Sequence, residues 1–457
     1  MKLIVFINII LIGGLLFYKK NGEFMDDMWI FYVTHYVSLF IFVMRFLMKE
    51  TRNIYMIFSP ILFSFLYLGL SFTLGSIFIP LNYGWSKEVY ENIIYIDKLN
   101  IYTIYFFIVD LILLHYWVKI IRKNKKLIPK RKDVIWPDFI PVIFFSFFVF
   151  LILISYVPVF KNLLLGFEYP FKLVLIIYLV LQSFNFSRGL RILLYTILIG
   201  IIFSQHYSSK REVILVVFIF MFLESVKSGF EIKVKFKFIL MMLSVAFLGV
   251  YLIFAASIMR GYGGYQLDSK LDAFLKVPDY VSQPYFKHIF VENFEVNTVL
   301  GNTMICMDFV EKEKLPLQYG GTYVKIFLTP IPRSIWKNKP EGMILKYTYT
   351  LNPEHKKNGQ SLPVVHYAEG FANFYWFGMI AVVFILVSFE KIFWYVIKQR
   401  KIKILNGKLI FSIYIVCILF QYIRGSGFDL FMLYTLAPLP LILIISLMPK
   451  KQKNVSD

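Results

Sequence analysis

Long unbroken blocks of apolar residues recur along the whole chain, and no other feature restricts the fold as much. Many are about 20 residues long, which at about 1.5 Å of helical rise per residue matches a hydrocarbon core about 30 Å thick. They show neither the alternation of a half-buried strand nor the single apolar stripe of a surface helix. A segment surrounded by lipid must satisfy its own backbone polar groups, so the blocks read as transmembrane helices. A large water-soluble core is excluded: of 457 residues, 58% are hydrophobic and only 17% charged, too little polar surface to cover one.

Spans are expected near 3–18, 28–48, 56–80, 93–118, 137–159, 171–187, 190–206, 212–226, 236–258, 371–395, 408–424 and 428–448. The pair 171–187 and 190–206 is short and closely spaced, and 93–118 carries Asp97 and Lys98 in its first turns. The apolar run after Lys2 resembles a signal peptide. It has no small-residue cleavage site before Tyr18-Lys19-Lys20, so a retained first helix is expected. The fold class is therefore all-α and integral to a membrane, with about twelve transmembrane helices. Nine lie in 1–258, a long external loop occupies 259–370, and three more helices with a tail fill 371–457.

The net charge of +21 would point to nucleic acid in a soluble protein, but here the basic residues cluster in short loops, as orientation signals do. The segment 119–136 holds Lys119, Arg122, Lys123, Lys125, Lys126, Lys130, Arg131 and Lys132 against Asp133, which makes it cytoplasmic. Alternation then puts Arg45, Arg52, Arg188, Lys233, Arg400 and the Lys450–Lys453 tail inside as well, with both termini cytoplasmic. The loop 259–370 falls outside, and its acidic and basic residues nearly balance. Its stretch Tyr323 to Trp336 is apolar but too short and Pro-broken to span, and is expected at the interface or folded onto the bundle. Cys306 and Cys417 give no disulfide framework.

The chemistry is expected on the outer face. Lys210 and Arg211 occupy a very short external loop, Arg260 opens the long loop, Arg333 sits at its centre, and Arg424 precedes the turn GSGFD. A guanidinium fork suits phosphate and diphosphate. One external arginine is more often a headgroup contact, yet orientation bias predicts few in short outer loops, so the set favours a ligand. Glu369, in VVHYAEGFANFYWFG, is a candidate base beside His366 and Asn373; alone, it would more often be a solvated residue of a helix N-terminus. His206, His288, His355, Glu295, Asp308 and Asp429 share that face. Asp110 falls mid-span, where a charge needs a partner; His35 and His115 are the candidates. No metal-ligand spacing, phosphate loop, nucleophile elbow or dinucleotide fingerprint is present, and neither a metal nor another cofactor is expected.

The string Pro332 to Pro340 (PRSIWKNKP), the Glu369–Phe374 stretch (EGFANF) and SSKRE at Arg211, with many spans and one long external loop, resemble the Wzy-type oligosaccharide repeat-unit polymerases of O-antigen and capsule synthesis. The strings cover a small part of the chain. The resemblance implies a helical, lipid-dependent (GT-C-like) glycosyltransferase in the bacterial cytoplasmic membrane, acting at its outer face without an obligatory metal. Its substrates would be glycans on undecaprenyl pyrophosphate, with membrane lipid around them and a chain-length regulator as a candidate partner. It further implies that Arg211, Arg260, Arg333, Arg424 and Lys210 face pyrophosphate, Glu369 or His366 activates the acceptor hydroxyl, and Trp336 and Asn373 contact sugar. A glycan ligase would use nearly the same donor chemistry. A flippase should show more ionisable residues within the spans and repeated halves.

Overall fold

The computed structural model describes residues 2–18, 21–50, 53–81, 85–124, 168–184, 186–205, 210–228, 247, 250–259, 261, 264–267, 270–284, 296–328, 336, 341–357, 361–398 and 407–447. The architecture is helical. Its principal helices are α1 (Lys2–Phe17), α2 (Asn21–Glu50), α3 (Pro60–Phe78), α4 (Trp85–Ile93), α5 (Leu99–Asn124), α6 (Glu168–Ser183), α7 (Arg188–Gln205) and α8 (Lys210–Ser228). There follow α9 (Val296–Glu311), α10 (Met343–Leu351), α11 (His366–Phe374), α12 (Gly378–Lys398), α13 (Gly407–Arg424), α14 (Phe428–Leu436) and α15 (Leu439–Leu447), with shorter turns between them.

Among the described residues, five segments are long and apolar enough to cross a membrane: Phe24–Glu50, Pro60–Phe78, Leu99–Asn124, His366–Lys398 and Gly407–Arg424. Shorter apolar helices lie at Lys2–Phe17, Pro170–Leu181, Leu215–Val226 and Phe428–Leu443. The expected span 137–159 and most of 236–258 lie outside the described residues. The expected span 93–118 is shifted: α4 ends at Ile93, and the crossing helix starts at Leu99, beyond Asp97 and Lys98. The last expected span is two short helices, divided where Pro438 and Pro440 interrupt the hydrogen-bond ladder.

Two findings add detail within 259–370 and at its end. First, α9 is a 16-residue helix whose side chains from Val299 to Val310 are almost all buried. It packs chiefly against α3 and α4. Gly301 permits this, since a Cβ there would lie 2.0 Å from Val89 Cγ1. Secondly, the boundary at 370 cuts through α11. The segment His366–Lys398 is not one rod: Tyr375, at φ 49°, breaks it, and α11 folds back along α12. A Cβ on Gly378 would lie 2.1 Å from the Gly370 carbonyl oxygen, and one on Gly370 would lie 2.6 Å from Val382. Two glycines therefore make the helical hairpin sterically possible.

Two buried polar groups mark the levels of the bundle. Glu390 accepts from Ser59 Oγ at 2.7 Å, the Ile61 amide at 3.3 Å and Trp394 Nε1 at 3.1 Å, while Trp117 Nε1 donates to Ser59 Oγ at 2.9 Å. It thus ties α12 to the N-terminus of α3, where Pro60 needs no amide donor. Asp110 lies in the middle of α5. Its partner is His35, with Nε2 3.1 Å from Oδ2; His115 is exposed. Asn8 Oδ1 meets His35 Nδ1 at 2.5 Å, and the Tyr367 hydroxyl donates to Asp110 Oδ1. Asn8, His35, Asp110 and Tyr367 are all inaccessible to solvent. Since Tyr367 is the second residue of α11, this network anchors the inner end of the folded-back helix at the level of mid-α5.

Candidate functional site

The first turns of α11 carry three of the expected site residues into the interior. His366 and Asn373 are 0% exposed and Glu369 is 1% exposed. Glu369 is therefore not the solvated end residue that its helical position alone suggests. Its carboxylate accepts the Phe428 amide, at 2.9 Å to Oε2 and 3.2 Å to Oε1. Phe428 is the first residue of α14, and its N-cap Gly427 offers no side chain, so Glu369 caps a helix from across the bundle. Gly425, at φ 101°, has no room for a Cβ against the Val364 backbone, and Gly427 is at φ 82°. These two glycines let the turn after α13 approach α11 closely.

Asn373 holds a loop in place rather than facing open space. Its Nδ2 donates to Thr322 Oγ1 and to the Glu369 carbonyl, each at 2.7 Å, and its Oδ1 accepts the Thr322 amide at 3.4 Å. His366 Nε2 lies 3.3 Å from Ser64 Oγ on α3, and its ring lies against Tyr422 of α13. Its Nδ1 makes no hydrogen bond of standard geometry, although the Ile423 backbone acts on the ring.

The segment 318–328, which precedes the Pro-Arg string, brings a lysine to the same place. Lys325 Nζ is 2.5 Å from Asp429 Oδ2, with the side chains 11% and 16% exposed. Asp429 follows Phe428 and lies so close to Gly342 that a Cβ there would be 2.3 Å from Oδ2. One turn beyond Gly342, Lys346 donates to Gln318 Oε1 at 2.6 Å. Burial, and then the neighbouring Lys325 charge, lower the Lys346 ammonium below its ordinary pKa. Tyr323 is raised well above its ordinary value, first by burial and then by the Glu369 charge.

Four parts of the chain thus meet around Glu369: the 318–328 segment, α10, α11 and the turn joining α13 to α14. Arg424, half-buried, ends α13 one residue before that turn. Of the other expected residues, Trp336 is 37% exposed, and Arg260 and Arg333 lie outside the described residues. So do the side chains of Lys210 and Arg211, although both belong to the first turn of α8. His355 instead pairs with Glu88 of α4 at 3.0 Å, and Asp308 with Lys312 at 2.9 Å. His206, His288 and Glu295 lie outside the described residues.

Lys325, Lys346, Thr322 and Gly342 escaped the sequence reading, as did Glu390 within its expected span. Lys325 stands in the stretch expected at the interface or folded onto the bundle, and its one legible signal is a lysine amid apolar residues. Among the described residues no cluster of His, Cys, Asp or Glu is arranged to hold a metal ion. Chemically, the site combines a buried carboxylate, a buried imidazole and the Lys325 ammonium within electrostatic reach of the carboxylate. Such a set can take a proton and hold an anion. No protein family, curated protein or solved structure matches the chain.

Proposed function

We propose that the chain polymerises lipid-linked oligosaccharide repeat units at the outer face of the bacterial cytoplasmic membrane. The observation that carries this reading is Glu369, a carboxylate buried inside a helical membrane bundle, beside Asp429 and within electrostatic reach of the Lys325 ammonium. An ionisable group within a membrane bundle is costly and marks a substrate site by default. The resemblance of EGFANF and PRSIWKNKP to repeat-unit polymerases supplies the reaction class.

In that reaction Glu369 removes the proton of an acceptor hydroxyl as its oxygen bonds to the anomeric carbon of the donor glycan. The bond from that carbon to the diphosphate oxygen breaks, and its electron pair leaves on undecaprenyl pyrophosphate. Lysine and arginine side chains offset the charge that builds up on the leaving group, a role filled elsewhere by a divalent metal. Arg211, Arg260, Arg333 and Arg424 belong to this proposal as diphosphate contacts, Lys210 as a further cation, Trp336 as a sugar-stacking surface and His366 as the alternative base. Asn373 acts in it by holding Thr322 against α11.

A deletion strain complemented with wild type or Glu369→Gln tests the reading through the surface-glycan ladder. Glutamine keeps the volume but not the basicity, and the loss expected of a missing general base is about 10²- to 10⁴-fold. The expected result is a single repeat unit on its normal acceptor in both the deletion and Glu369→Gln strains. Long polymer held on the lipid carrier would make the chain a ligase. Repeat units held on the inner leaflet would make it a flippase. Either outcome sinks the polymerase.

A further inference from the structure

Phe428, whose amide bonds Glu369, is also the place where two tyrosines meet. Its ring is contacted edge-on by Tyr323 of the 318–328 segment, with centroids 5.1 Å apart, and by Tyr422 of α13, at 5.6 Å. Tyr422 is 0% exposed, and its ring also lies 5.3 Å from that of His366. Tyr323 is half-buried and stacks at 6.2 Å on Phe374, which is 38% exposed. Aromatic rings thus lead from the surface at Phe374 inward to the buried carboxylate.

Both phenolic oxygens are buried, and neither has a hydrogen bond of standard geometry. Each acts electrostatically on the other, and both feel the Glu369 carboxylate. A bond between them would not satisfy the pair. One hydroxyl would donate, and the O–H of the other would still need an acceptor. A buried polar group in that condition costs stability and calls for a role or a partner from outside the chain. Phenylalanine at either position would keep the ring contacts without that cost, so packing does not account for the hydroxyls.

The surroundings restrict what the partner can be. An anion at these hydroxyls would meet the Glu369 carboxylate, with Asp429 the next residue beyond Phe428. A neutral polyol meets no such repulsion, and it both donates and accepts. The aromatic faces of Phe374 and Tyr323 suit the C–H faces of a sugar ring.

We propose that Tyr323 and Tyr422 hold the acceptor sugar of the glycosyl transfer. Their hydroxyls bond neighbouring oxygens of that sugar and bring its reacting hydroxyl to Glu369. The inference rests on the polymerase reading for the reaction, and deepens it by separating an acceptor subsite from the cationic groups assigned to diphosphate.

Lipid-linked repeat units extracted from the deletion strain are the substrate for the test. They are supplied to membranes carrying wild type, Tyr323→Phe, Tyr422→Phe or the double variant, and chain extension is followed against substrate concentration. Each single variant is expected to raise the half-saturating concentration about tenfold while the maximal rate stays nearly unchanged, because bound substrate and transition state share the lost contact. Glu369→Gln instead lowers the maximal rate. The purified tyrosine variants should keep or raise the wild-type thermal midpoint, since each loses a buried hydroxyl and no ring contact. A structural role would lower activity and midpoint together, and a midpoint that falls in both single variants overturns the proposal. Wild-type saturation in the double variant also overturns it, leaving water as the partner of these hydroxyls. If Glu369→Gln loses extension while the double variant saturates as wild type, the polymerase stands and only this inference goes. A ladder that survives deletion of the gene removes the polymerase reading, and this inference with it.

Discussion

At the scale of single residues, Asn373 shows how a polar side chain becomes indispensable by where it is buried. It satisfies the Thr322 amide and hydroxyl and the Glu369 carbonyl at once, in a place with no access to water. Asn373→Ala would leave the Thr322 amide without its acceptor, a desolvation penalty of about 1–3 kcal/mol. The thermal midpoint of the purified protein is therefore expected to fall, and proteolysis should cut first within the 318–328 segment. An unchanged midpoint would show that the loop finds another acceptor. Asp110 makes the same point within the membrane: its pairing with a histidine was legible, because a carboxylate in mid-span demands a partner. The choice of His35 over His115 was not, because it depends on which face of α5 meets α2.

At the scale of elements, the decisive feature is the hairpin of α11 and α12. From sequence one span is expected over 371–395, which runs straight through the break at Tyr375. The chain reverses because Gly370 and Gly378 let two backbones touch. Gly378→Leu forces a side chain into the space held by the Gly370 carbonyl, and overpacking of this kind costs about 1–3 kcal/mol or more. A lower thermal midpoint with loss of function is expected, whereas Gly200→Leu, which meets nothing within 4 Å on α7, should leave both unchanged. Equal tolerance at the two positions would refute the hairpin. Helix α9 teaches a related lesson. Its apolar run is too short and too mixed with Asn and Thr to read as a span, so it passed for loop. Those small and polar residues are what allow it to lie against α3 and α4.

At the scale of the whole molecule, the orientation expected from charge can be checked without any assay of activity. Reporter fusions after Lys126 and after Arg400 are expected to be active only with a cytoplasmic reporter, and fusions after Ser208 and after Asn358 only with an external one. A fusion after Asn358 that reports cytoplasmic would place the Glu369 site on the wrong side for lipid-linked glycans. The bundle also explains why the site is assembled from distant segments. Glu390 at one level and Asp110 at another hold α3, α5 and α12 in register, and α11 hangs from Asp110 through Tyr367. Lys325 then docks against Asp429, just beyond the turn that follows α13.

The membrane class, the approximate places of the long spans and the clustering of basic residues in short loops were written in the sequence. Each depends on a property summed over neighbours in the chain: apolar length against bilayer thickness, or basic residues counted per loop. Only the tertiary structure decided that α11 turns back into the bundle, that α9 is core rather than loop, and that Lys325 meets Asp429 close to Glu369. Those outcomes depend on contacts between residues far apart in the chain. A glycine reveals its purpose only when the backbone it admits is in place, and a lysine in an apolar stretch only when its carboxylate has arrived from another helix.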